Sequence, residues 1–262
     1  MSDEQRFLVD VGMNNLHFPI HAQSRLSADG QPTIAEISIV ARIWRKFEAT
    51  WIDKFIQIAH RHRETIGPKS LRANIIDYFK ELRAASVRVD LDYPFFYEKP
   101  TPVSQEKCLV RYRCNYSAKI SSLERGPKVT QRFEVPVITT YPGSIPGEDG
   151  GLFAQLTVVD CEIETANADV YPEDIIELVD RRALLPVYSF LTPEDQAAVI
   201  RKAHSEKKTS VVMTDEIKEE LANNPAIAWY AVRCRNFGML HSYSTYVATE
   251  KSSWAPLVSY ND

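Results

Sequence analysis

Glycine is scarce in this chain, nine of 262 residues, and none of it builds the GxxxxGK[ST] loop whose backbone amides cradle a nucleotide phosphate. Phosphate binding of that kind is excluded. Basic residues are in short supply too: 31 Lys and Arg stand against 35 Asp and Glu, a net charge of −4. With no surplus to displace counterions from a phosphate backbone, a nucleic-acid partner is not expected. No run approaches the roughly 18 apolar residues that cross a bilayer. The opening MSDEQRFLVD is acidic and polar where a secretory leader carries a positive region and then an apolar one. The expected location is the cytoplasm, with no membrane partner. The four cysteines, Cys108, Cys114, Cys161 and Cys234, form no CxxC pair and have no histidine at finger spacing, which excludes a disulfide framework. Cys114 and Cys161 read as small buried hydrophobes within strands. Cys108, opening a strand after a polar loop, is the one thiol to consider as reactive, and no histidine or lysine partner is placed beside it by the sequence.

What is present is an ordinary core composition, 44% hydrophobic and 25% charged, in which two periodicities alternate. Thr33–Ile43 predicts a strand. Thr50–Arg63 predicts a helix with Trp51, Phe55, Ile58 and Ala59 on one stripe, and a second helix starts at Pro68 and Ser70 and turns Leu71, Ile75, Tyr78, Phe79 and Leu82 inward. Val87 to Tyr93 and Leu109 to Cys114 alternate as antiparallel strands with one wet face. The order then recurs. Phe133–Thr140 and Leu156–Ile163 predict strands, Pro172–Leu185, Thr192–Ala203 and Asp215–Asn223 predict helices, and Ala226–Phe237 and Ser242–Thr249 close the chain as strands. The fold class is α+β, in two repeats of antiparallel sheet with helices on one face, divided at 1–125 and 126–262. Open sheet edges in one subunit predict a homo-oligomer, a dimer or tetramer.

Four stretches carry a resemblance: DVGMNNLHFPI; YPFFYEKPTPVSQEKCLVRY; the run from Val135 to Thr157, VPVITTYPGSIPGEDGGLFAQLT; and NNPAIAWYAVRCRNFGMLHSYSTYVA. Over most of its length the chain resembles the type IB GTP cyclohydrolases of the tunnelling-fold superfamily. The resemblance implies two tandem tunnelling-fold modules that assemble into barrels. It also places a metal-ligand cysteine where this chain has Tyr141, a metal-ligand histidine at Phe153 and a ligand glutamate at Asp195. Tyrosine and phenylalanine do not replace thiolate and imidazole, so no metal and no other cofactor are expected. Asp195 also has a local account, as the acid three residues after the helix-capping Thr192.

His241 aligns with a histidine that the resemblance places at the active site in proton transfer, and its ordinary pKa suits acid or base work. A lone histidine before a strand is also an unremarkable surface residue. Gly238 stands where the family carries the glutamate that anchors guanine, a loss of roughly 1.5 to 3 kcal/mol for a buried charge-assisted contact. It equally suits a turn or bulge. Gly143 replaces a second loop cysteine and Tyr243 a histidine. Tyr141, Phe153 and Tyr243 would line a drier pocket that stacks on a flat ring, or would only fill a vacated cavity, while Gln155 could read an amide or carbonyl. Arg233 and Arg235 alternate on a strand, as candidates for an anionic ligand or as its wet face. The acids Glu148 and Asp149 disfavour a triphosphate near their loop.

The expectation is therefore a diverged enzyme with His241 and Asp195 as catalytic groups and Tyr141, Phe153, Gln155, Gly238 and Tyr243 contacting the ligand. It would act without metal on a small, flat molecule other than GTP, in specialised biosynthesis. The alternatives are a non-catalytic small-molecule-binding or regulatory homologue, and a genuine GTP cyclohydrolase with unusual ligands.

Overall fold

The structure, a computed structural model, describes residues 8–44, 51–64, 66–145, 151–166, 169–238 and 241–251. Thr50, Glu148 and Asp149, named above, lie outside these. Among the described residues nine strands form one sheet in the order β1-β2-β3-β4-β5-β6-β8-β9, with the short β7 paired to β5. They are β1 Leu8–Ala22, β2 Gln31–Trp44, β3 Ser86–Pro100, β4 Lys107–Ile120, β5 Lys128–Thr140, β6 Ala154–Thr165, β7 Leu185–Pro186, β8 Ile227–Phe237 and β9 Ser244–Glu250. The helices are α1 Trp51–Arg61, α2 Pro68–Glu81, α3 Pro172–Arg182, α4 Pro193–Ser205 and α5 Ser210–Asn223. The expected antiparallel α+β architecture is thus observed. None of these helices is long and apolar enough to cross a membrane.

The chain clusters into two compact units. The first comprises Met1–Phe96, Arg111–Phe133 and Asn167–Glu173. In it, β2 buries Ala35, Ile37, Ile39, Ala41 and Ile43 and β3 buries Val87, Val89, Leu91 and Tyr93, the period-2 pattern of a half-buried strand. Helices α1 and α2 add Phe55, Ile58, Leu71, Ile75 and Tyr78 to the core. Each such side chain contributes roughly 1.5 to 3 kcal/mol by leaving water. The two helices are joined by the Tyr78 hydroxyl, which donates to the Phe55 carbonyl at 2.9 Å. Glu173, fully buried at the start of α3, accepts from the Ser24 hydroxyl and from the Arg25 amide.

Strand β1 is not among the strands that the sequence pattern predicts. Its pairing with β2 shifts between Met13 and Leu16, and Asn15 takes φ 59°. The extra residue changes which side chains point inward: Val9, Val11 and Met13 before the bulge, Leu16, Phe18, Ile20 and Ala22 after it.

The second unit comprises Tyr97–Val110, Glu134–Ala166 and Asp174–Asp262. Here β6 buries Val159, Cys161 and Ile163, β8 buries Tyr230, Val232 and Cys234, and α5 covers β8 with Met213, Ile217 and Leu221. The Thr214 hydroxyl donates to Cys234 Sγ at 3.0 Å, and burial pushes that thiol up to about 11. Between β3 and α3, the Lys99 amine donates to Asp180 at 2.7 Å and the Tyr97 hydroxyl to Glu177 at 2.6 Å.

Candidate functional site

Six of the seven candidate residues come together in the second unit. Strand β5 ends at Thr140, and the Pro142-Gly143 turn directs Tyr141 away from the strand: the Tyr141 amide donates to Phe153 O at 2.8 Å and the Ser144 amide to Tyr141 O at 3.0 Å. The Ser144 hydroxyl then accepts from the Phe153 amide at 2.6 Å. These bonds hold the first turn of the loop across the start of β6. Opposite, the chain leaves β8 at Phe237, passes Gly238 and brings in His241 and Tyr243 ahead of β9.

The side chains meet as an aromatic group with one polar contact at its centre. Tyr141 Oη and His241 Nε2 lie 3.1 Å apart. The His241 ring stacks on Tyr243, with centroids 4.8 Å apart and planes at 12°. Phe153 meets Tyr141 edge to face at 6.2 Å. A side chain at Gly238 would begin 3.9 Å from Gln155 Oε1 and 3.9 Å from the Tyr141 ring, so this glycine forms a floor shared by both. His241 and Tyr243 are exposed, and Gln155 is buried. The imidazole and the Tyr243 ring are therefore open to a flat ligand, with the Gln155 amide buried behind them.

Asp195 is held elsewhere. Its carboxylate accepts from the amides of Val103 and Ser104, at 2.8 and 3.0 Å, and from the Ser104 hydroxyl at 2.7 Å. It also accepts from the Thr192 amide and hydroxyl at 3.2 and 2.7 Å, in the capping box that starts α4. Burial works against the charge of Asp195, but the donors from Ser104, Thr192 and Val103 outweigh it and hold the carboxyl well below the usual range. Its partners include none of the other candidates.

The resemblance implies a divalent metal at Tyr141, Phe153 and Asp195, and these residues do not fit one. Phenylalanine has no donor atom, the phenol of Tyr141 is engaged with His241, and both Asp195 oxygens are taken by hydrogen bonds. Among the described residues no cluster of three or more His, Cys, Asp or Glu is placed to hold an ion.

Cys108 is buried, with Ser189 Oγ 3.1 Å away and the Ser189 amide donating to its sulfur at 3.1 Å. Burial raises the thiol and the hydrogen bonds from this turn more than offset it, leaving it below its ordinary value. Arg235 lies 3.7 Å from Glu134, and the Arg233 guanidinium sits 5.5 Å from the Tyr246 ring centroid.

Sequence reasoning missed a chain of buried polar groups beneath Gln155. Gln155 Nε2 donates to Thr139 Oγ1 at 3.3 Å, Thr139 and Thr157 share a hydroxyl contact at 2.8 Å, and Thr157 donates to Asn236 Oδ1 at 2.9 Å. Asn236 Nδ2 continues to Thr245 Oγ1 at 3.3 Å. The available signal was polar residues in the inward register of strands β5, β6 and β8, where Val137, Val159 and Cys234 are the neighbours.

The nine-stranded antiparallel sheet with its helices defines the class of the tunnelling fold. Uricases share the fold: that of Arthrobacter globiformis aligns with a TM-score of 0.55 at 9% identity, over 95% of this chain and 96% of its own. That of Bacillus fastidious aligns at 0.58 and 9%, over 92% of each chain. The family model described as type I GTP cyclohydrolase FolE2 matches residues 2–247, and the chain belongs to that family. Similar proteins are the GTP cyclohydrolase FolE2 of Geotalea uraniireducens (strain Rf4), 30% identical over 92% of this chain and 87% of its own length, and that of Geobacter sp. (strain M21), 28% identical over 92% and 89%. This corrects one expectation. Metal-independent action on a molecule other than GTP was expected from Tyr141, Phe153 and Gly238, yet relatives matching nearly end to end carry the name GTP cyclohydrolase. Substrate choice belongs to a whole site rather than to three of its positions, and His241 and Gln155 remain beside the replaced ones.

Proposed function

We propose that this chain is a GTP cyclohydrolase, acting on GTP at the site centred on Tyr141 and His241. The observation that carries the reading is their 3.1 Å contact at an open aromatic site, in a chain of this family. Opening a ring with water requires a proton taken from the water and one delivered to the departing ring nitrogen. His241 is the group suited to both steps, and the Tyr141 hydroxyl fixes its ring and tautomer. Tyr243, stacked on the imidazole, extends the flat surface on which a purine ring lies.

The finer parts of the reading belong to the same proposal. The chain is a diverged type IB member in which the ligand cysteine and histidine are replaced at Tyr141 and Phe153 and the guanine-anchoring glutamate at Gly238. Asp195 acts as a brace for the 101–104 turn. The division into modules 1–125 and 126–262 and assembly into a homodimer or homotetramer complete it.

The test is incubation of purified protein with GTP, with divalent ions present and after chelation, following pterin-type fluorescence. Turnover is expected, falling at least about 100-fold in His241→Ala, the usual scale for loss of a general acid or base. A folded wild-type protein that turns over no GTP under either condition overturns the proposal, and GTP binding without turnover identifies a binding homologue instead.

A further inference from the structure

The polar chain beneath Gln155 has a direction, and the direction decides what the site can recognise. Thr157 gives its single hydroxyl proton to Asn236 Oδ1. Towards Thr139 it can then only accept, so the Thr139 hydroxyl donates across their 2.8 Å contact. Thr139 Oγ1 is left as an acceptor, and Gln155 meets it with the amide nitrogen, at 3.3 Å. At the far end Asn236, accepting through Oδ1, offers Nδ2 to Thr245. Gln155, Thr139, Thr157 and Asn236 are all at least nine-tenths buried, where water does not compete for these bonds. The amide of Gln155 therefore does not rotate freely. Its oxygen faces the floor at Gly238, 3.9 Å from the position of a β-carbon there, beside the Tyr141 ring.

From this geometry we infer that Gln155 is the specificity-determining acceptor of the site, and that Thr139 is a positioning residue that keeps the amide oxygen outward. This rests on the GTP reading and deepens it. A guanine ring offers adjacent N–H groups on one edge, its ring N–H and its amino group, and an outward carbonyl accepts from them. Adenine offers an amino group beside a bare ring nitrogen, an edge that a freely turning glutamine would match by presenting its N–H. A glutamine fixed with oxygen outward leaves that nitrogen without a donor, and an unpaired polar contact is heavily disfavoured at a desolvated site. The absence of a side chain at Gly238 leaves room for the ring edge to reach the amide. The acceptor is neutral, so recognition through it does not depend on the ionisation of an acid.

The experiment measures KM and kcat for GTP, and the inhibition constants of GDP and ADP, on wild type, Gln155→Leu, Thr139→Val and Thr139→Ser. Melting temperatures confirm that each variant is folded. Expected are a rise of about tenfold in KM for GTP in Gln155→Leu and Thr139→Val, the scale of one hydrogen bond with a partner left unpaired. With kcat changed less than KM, the preference for GDP over ADP should fall towards one in Thr139→Val and be retained in Thr139→Ser, which keeps the hydroxyl. Equal effects of Val and Ser at position 139 would mean that only packing matters there and would overturn the inference. So would unchanged KM and preference in Gln155→Leu, which also decides the matter should Thr139→Val fail to fold. In both cases wild-type GTP turnover leaves the GTP reading standing. A wild-type protein that binds no guanine nucleotide removes reading and inference together.

Discussion

Asp195 is a carboxylate whose two oxygens are saturated by local donors. Two backbone amides, two hydroxyls and the Thr192 N–H converge on it, joining the turn after β3 to the first turn of α4. Because its folded pKa is depressed, the stability it contributes is present above the ordinary carboxylate pKa of about 3.9 and is lost as pH falls through the folded value. Asp195→Asn should therefore melt on the order of 5 °C lower at pH 7, with the gap to wild type closing as the pH is taken towards 2. Thermal melts across that range check it, and a gap independent of pH would contradict the ionic account. The capping role was legible in TPED, since threonine and an acid three residues apart before an apolar run mark a helix start. The two contacts from the 103–104 turn were not, because residues 91 and 92 positions away in sequence leave no local trace.

Among the elements, the helices and central strands were readable because their periodicity matches their burial. Helix α2 begins at Pro68 and buries Leu71, Ile75 and Tyr78, the stripe its spacing indicates. Removing the Tyr78 hydroxyl as Tyr78→Phe should cost about 1 kcal/mol, the net worth of one buried hydrogen bond, measured by urea unfolding. Phe55→Ala, which empties a site packed edge to face against Tyr78, should cost about 3 to 5 kcal/mol. Three elements departed from their sequence pattern, one being β7, whose Leu185 lies in the span predicted as the end of helix Pro172–Leu185 while α3 stops at Arg182. Strand β1 hides its alternation because the bulge at Asn15 exchanges inward and outward positions midway. Helix α5 starts at Ser210, five residues before the predicted Asp215, since Val211 and Val212 favour strands locally while the apolar contacts of Met213 with the sheet favour the helix.

For the molecule as a whole, the sheet path ends at β1 and β9, whose outer edges have no partner strand among the described residues. Under the proposed self-association, sedimentation should return a mass that is a small multiple of 29.9 kDa, and a monomer at micromolar concentration would rule it out. Of the candidate site, the sequence singled out Tyr141, Phe153, Gln155, Gly238, His241 and Tyr243, which the structure brings close together. Its inner support was not legible, because hydroxyl and amide groups in an inward register are visible only once strand pairing is known. That support draws on residues from Thr139 to Thr245, and the imidazole and the last hydroxyl arrive with the final described strand. During synthesis, His241, the proposed acid–base group, follows the first unit and most of the second. Under the proposed reading, a nascent chain that stalls before residue 241 holds much of both units and lacks the imidazole on which turnover depends.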